Sequence, residues 1–166
     1  RLKKLINVVY ELPKWNGHLY NWYNIENLEP LIPRYVSTVD SGNFIGYMYV
    51  VKQFLINTKV ETVENKGEDN DLDVQKIEAM IQNIDNIIQN TDFSILYSEE
   101  NKIFSIGYNV EENMLTDSYY DLLASEARQA SIVAIAKKDV PAKHWYSLNR
   151  SLTILNKYKG LISWSG

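Results

Sequence analysis

Two stretches of this 166-residue chain are apolar on nearly every side of a helix, and they limit its folding options most. Between Asn43 and Ile56, the residues Phe44, Ile45, Tyr47, Met48, Val50, Val51, Phe54 and Leu55 leave only a narrow polar strip. A second stretch, 118–136, follows the potential capping residue Asp117 and is again apolar on most sides. Helices of this kind need cover on more than one side. Between them, residues 73–89 behave differently. There Val74, Ile77, Ile81, Ile84 and Ile88 recur at three- and four-residue steps opposite glutamine, asparagine and aspartate. Broadly apolar helices inside and a one-sided helix outside predict an all-α fold in layers. That pattern suits the two rings of an α/α toroid and suits a simple bundle equally.

The remaining segments are shorter. Leu2, Leu5, Ile6 and Val9 predict an amphipathic first helix that Pro13 ends. Residues 15–33 predict an irregular ordered loop carrying Trp15, His18, Tyr20, Trp22 and Tyr23. Its rings either pin the loop to the core or form a wall on which sugars stack. Residues 61–71 predict an acidic surface loop. Asp69, Asp71 and Asp73 there miss a calcium-loop pattern, because Val74 replaces its glycine and Met80 its closing glutamate. The runs 93–97 and 102–108 predict one short β-hairpin. A short helix over 141–148 and an extended loop over 149–166 complete the expectation.

Composition excludes several classes. A net charge of −4 without a clustered basic face argues against nucleic acid as a partner. Lys3-Lys4 and Lys137-Lys138 are expected to solvate helix ends. There is no cysteine, and the two histidines, His18 and His144, lack metal-ligand spacing, so no metal is expected. No phosphate-binding glycine loop or dinucleotide fingerprint is present, so no cofactor is implied. With no apolar run of roughly 18 residues, the chain itself is expected to be soluble and a single domain, 1–166.

Carboxylates and aromatics remain as the chemical groups: Asp40, Asp117, Asp121 and Glu126, with Tyr119, Tyr120 and Trp164. On a continuous helix, Glu126 shares a face with Tyr119, Leu122, Leu123, Ala130 and Val133. A carboxylate so placed either bonds a buried amide or serves as a desolvated acid. Asp40 and Asp117 both suit helix N-caps. Asp121, seven residues before Arg128, is too far along a helix for an ordinary ion pair. Paired carboxylates beside aromatic platforms are what glycoside cleavage requires, one as acid and one as nucleophile or base.

The run GYNVEENMLTDSYYDLLASEARQASIVAIAKKDVPAKHWYSLNR (107–150) resembles the glucoamylase-like region of cyclic β-1,2-glucan synthases. So do HLYNWYNIENLEPLIPRYVSTVDSGNFIGYM (18–48) and the terminal SWSG. The resemblance implies a partial (α/α)6 toroid, since four or five expected helices fall short of twelve. It implies a fragment of a larger membrane-associated synthase that also carries a glycosyltransferase part and a cellobiose phosphorylase-like part. Its reaction would close linear β-1,2-glucan into rings by transglycosylation, with Glu126 as the catalytic acid/base. Asp40, Ser41, Asn43, Asp117, Tyr119, Tyr120, Asp121 and Trp164 would contact the glucan. The expected partners are an oligosaccharide or glucan, the rest of the parent synthase, and further copies of the chain through exposed apolar surface. A non-catalytic carbohydrate-binding or interaction module is the alternative, and a plain structural domain a third.

Overall fold

The computed structural model of the chain describes residues 1–66, 71–148 and 152–161. Helix α1 (Leu2–Glu11) leads into a tight hairpin of β1 (Lys14–Trp15) and β2 (His18–Leu19). After β3 (Tyr35–Ser37) come the long helices α2 (Thr38–Lys66) and α3 (Asp71–Asn90). A 3-10 turn (Phe93–Leu96) precedes β4 (Tyr97–Ser98), β5 (Ile103–Phe104), β6 (Gly107–Asn109) and β7 (Met114–Leu115). A second 3-10 turn (Ser125–Ala127) opens α4 (Arg128–Lys137). Then follow α5 (His144–Ser147) and a hairpin of β8 (Leu152–Leu155) and β9 (Tyr158–Leu161).

Among the described residues the fold is mixed α/β, about 52% helical with 17% strand, which corrects the all-α, partial-toroid expectation with its one hairpin. The described strands form four small antiparallel sheets, ordered β1-β2, β3-β6-β7, β4-β5 and β8-β9. These strands are two to four residues long, too short to display alternation in sequence. The expected hairpin over 93–108 is divided. Residues 93–96 are a 3-10 turn, Tyr97 and Ser98 pair with Phe104 and Ile103, and Gly107–Asn109 pairs with β3 and β7.

The helix expected from Asp117 begins only at the 3-10 turn, and residues 117–124 are not helical. Their backbone is held from elsewhere. Ile106 N–H donates to the Ser118 carbonyl at 2.9 Å, Tyr120 N–H donates to the Phe104 carbonyl at 2.9 Å, and Tyr119 bridges to Ser105. Pairing with the segment 104–106 has overridden local helix propensity. Conversely, α2 runs through the expected acidic loop as far as Lys66.

The core lies where α2 packs between α3 and α4, with α1 against the far side of α3. Ile45 and Leu55 of α2 are buried with Ile84 and Ile88 of α3, and Ala130 and Ala134 of α4. The α2–α4 crossing depends on Gly42. A methyl group there would lie 2.4 Å from the Ala130 Cβ and 2.5 Å from its Cα. Lys137 does not solvate a helix end as expected. Its ammonium, almost fully buried, pairs with Asp139 at 2.9 Å and donates to the Thr91 carbonyl. Lys138 is exposed, in the left-handed conformation that ends α4.

Candidate carboxylate site

Residues 104–107 are the scaffold of the site. Ser105 is fully buried, and its hydroxyl donates at 2.6 Å to the Thr116 carbonyl. Its own carbonyl accepts from the Thr38 hydroxyl at 2.7 Å, while Thr38 N–H donates to Ile106 at 3.1 Å. These bonds fix the start of α2 on the segment that also holds residues 118–120. Ser37 then caps α2, its hydroxyl accepting from Asp40 N–H at 3.2 Å. Gly107 has no room for a side chain, because a Cβ would stand 2.3 Å from the Val36 carbonyl oxygen and 2.4 Å from the Tyr35 hydroxyl. Distant parts of the sequence thus meet at one place.

What they bring together is a buried phenol within electrostatic reach of two acids. Tyr120 is buried, while Asp40 on the first turn of α2 and Glu126 on the 3-10 turn are exposed. Burial, then the charges of Glu126, Tyr35 and Asp40 in that order, push the Tyr120 phenol up to about 12. It therefore stays protonated at neutral pH, with both carboxylates near enough to act on it through their charge. Tyr35 is held by a 2.9 Å bond between its hydroxyl and that of Thr116. Beside Asp40 opens a cavity of about 180 Å³, lined by Leu19, Tyr20, Asn21, Asp40, Ser41 and Phe44.

The expected residues divide. Asp40 and Glu126 both lie within electrostatic reach of Tyr120, and Ser41 lies next to Asp40, buried against His18. Asn43 is half-buried on α2, one turn on. Asp117 is exposed in a separate cavity with Tyr35 and Met114 and caps no helix. Tyr119 is half-buried in its bridge to Ser105. Asp121 turns its carboxylate back to accept from Leu123 N–H at 2.9 Å, and Arg128 donates to the carbonyls of Asp121, Leu122 and Ala124. Trp164 lies outside the described residues. The apolar helix face expected around Glu126 does not form, because residues 119–124 are not helical and its side chain reaches solvent.

Tyr35 was not anticipated, and no spacing in the sequence marks it. The aromatic segment is mainly pinned to the core. Trp15 stacks on Tyr108 with centroids 4.1 Å apart, and the Tyr23 hydroxyl donates to the Pro13 carbonyl at 2.7 Å. Tyr20 reaches the cavity beside Asp40, and Trp22 is half exposed.

No family model matches the chain. The chain is similar to cyclic beta-(1,2)-glucan synthase NdvB of Rhizobium meliloti (strain 1021), at 27% identity. The similarity takes in 100% of this chain and 10% of that protein, so the chain spans about a tenth of its relative's length. Among the described residues, no helix is long and apolar enough to cross a membrane.

Proposed function

We propose that this chain serves in glucan processing, as part of a glycoside hydrolase or transglycosylase acting on β-1,2-glucan, with Asp40, Tyr120 and Glu126 at the sugar. The observation that supports this most is that two carboxylates from distant parts of the chain both act electrostatically on one buried phenol. Similarity over the whole chain to a cyclic β-1,2-glucan synthase supplies the substrate class. Glu126 is the acid/base, Asp40 the second carboxylate, and Tyr120 a neutral donor that orients a sugar oxygen between them. The cavity lined by Tyr20, Asn21 and Phe44 receives a neighbouring glucosyl unit, its rings offering apolar faces and its amide a polar edge.

A non-catalytic glucan-binding module is the second reading, and it is favoured by the exposure of Glu126, since an acid of this type is normally desolvated. Incubation with linear β-1,2-glucan and mass analysis of the products separates the two. Catalysis predicts new chain lengths or rings, and about a hundredfold slower turnover in Glu126→Gln with binding retained. Equal turnover in that variant rules out the acid role. Binding without any turnover leaves the module reading.

A further inference from the structure

The two histidines are buried in the same way, one against the helix that carries Asp40 and one against the helix that follows the turn bearing Glu126. His18 is 1% exposed, with Nδ1 at 2.9 Å from the Ser41 hydroxyl and Nε2 at 2.8 Å from the Asp92 carbonyl. His144 is 0% exposed, with Nε2 at 2.9 Å from the Ser131 hydroxyl and Nδ1 at 3.1 Å from the Lys102 carbonyl. Ser41 directly follows Asp40 on the first turn of α2. Ser131 lies one turn into α4, which the 3-10 turn bearing Glu126 opens. A continuous aromatic row joins the two rings. His18 meets Phe93 edge-on at 5.2 Å, Phe93 meets Phe104 at 6.4 Å, and Phe104 meets His144 at 5.0 Å.

A carbonyl can only accept, so the ring nitrogen facing it carries the proton and the other nitrogen of a neutral ring accepts from serine. Burial holds His18 neutral down to about 4, and lowers His144 in the same direction. The two rings therefore take opposite tautomers: Nε2–H in His18 and Nδ1–H in His144.

We infer that His18 and His144 are paired positioning residues, which through Ser41 and Ser131 fix the separation of the helix starts bearing Asp40 and Glu126. Each ring bolts a helix serine to a carbonyl outside that helix, and the aromatic row between them acts as a rigid spacer. Neither ring touches the sugar. This rests on the assignment of Asp40 and Glu126 to one site, but its test uses no glucan, so failure of the clamp and failure of the sugar assignment are separable.

The whole chain has no cysteine, so Asn43→Cys and Ser125→Cys place two spin labels at the two helix starts without a competing thiol. Dipolar EPR should show one narrow separation. Adding Ser41→Ala or Ser131→Ala should lose that narrow component while far-UV circular dichroism is unchanged. Nitrogen-15 NMR of the 15N-enriched native chain, free of spin labels, should show the Nε2–H tautomer for His18 and the Nδ1–H tautomer for His144. An unchanged EPR spectrum in both alanine variants overturns the clamp. So does the reverse tautomer in either ring, because the hydrogen-bond chain then cannot run from serine to carbonyl.

Discussion

The Tyr97 hydroxyl is buried with no hydrogen-bond partner among the described residues, and burial, with the charge of Glu99, raises its pKa. Burying an unpaired hydroxyl costs about 1–3 kcal/mol, so Tyr97→Phe should leave stability unchanged or raise it. A fall in urea midpoint would show that the hydroxyl has a partner. His18 makes the opposite kind of prediction. Its folded pKa of about 4 lies below the ordinary 6.5, chiefly through desolvation, with Lys137 adding to the fall and the Asp92 hydrogen bond and the Asp92 and Asp139 charges opposing it. The unfolded chain therefore binds the proton first. The stability this ring confers is complete above about pH 6.5 and is lost as pH falls towards 4, by about 3 kcal/mol. His144 shifts in the same direction. Urea midpoints at pH 6.5 and 4.5 should differ in the native chain and differ less in His18→Asn, whereas equal slopes in both would contradict this origin.

At the level of elements, two glycines one turn apart on α2 should behave differently. At Gly42 an added methyl meets the backbone and Cβ of Ala130, atoms that cannot move without separating the helices. Gly42→Ala should cost about 1–3 kcal/mol or more from overpacking. At Gly46 the obstacle is the end of the Gln129 side chain, 1.8 Å away. That side chain can swing aside, and alanine gains up to about 1 kcal/mol in helix propensity, so Gly46→Ala should be near neutral by thermal denaturation. The buried pair at the end of α4 is a third test. Asp139 also accepts from Phe93 N–H at 3.1 Å, so Asp139→Asn leaves the Lys137 ammonium poorly matched and should cost about 3–5 kcal/mol.

These elements also show what the sequence could disclose. The isoleucine stripe of α3 was legible because a one-sided helix writes its period plainly, and Ile77, Ile84 and Ile88 are buried as expected. The Asn16-Gly17 turn, with φ of 45° and 82°, is a strong hairpin signal that the surrounding aromatics obscured. Residues 117–124 depart from their helical pattern for a deeper reason. Their helical pattern is real, but the segment 104–106 leading from β5 to β6 takes their hydrogen bonds, and that pairing is not written in the local pattern. Asp40, Tyr120 and Glu126 were legible as chemical types. Their meeting, and the contribution of Tyr35, depend on that same non-local pairing.

Across the whole molecule, α2 is covered by α3 and α4 but leaves Tyr47, Val50 and Phe54 on an open apolar side. At the three- and four-residue spacing of one helix face, these side chains form a patch that favours self-association. Light scattering should show mass rising with concentration, and Tyr47→Ser with Phe54→Ser should suppress the rise. A constant monomer mass in the native chain would remove this prediction.

In the proposed function, Asp40 and Glu126 form one glucan site around Tyr120. Calorimetric titration of linear β-1,2-glucan into the native chain, Asp40→Asn, Glu126→Gln and the double variant tests it most directly. One shared site predicts measurable binding by the native chain, and single losses that do not add in the double variant. Additive losses, binding indifferent to both substitutions, or no binding by the native chain would contradict it.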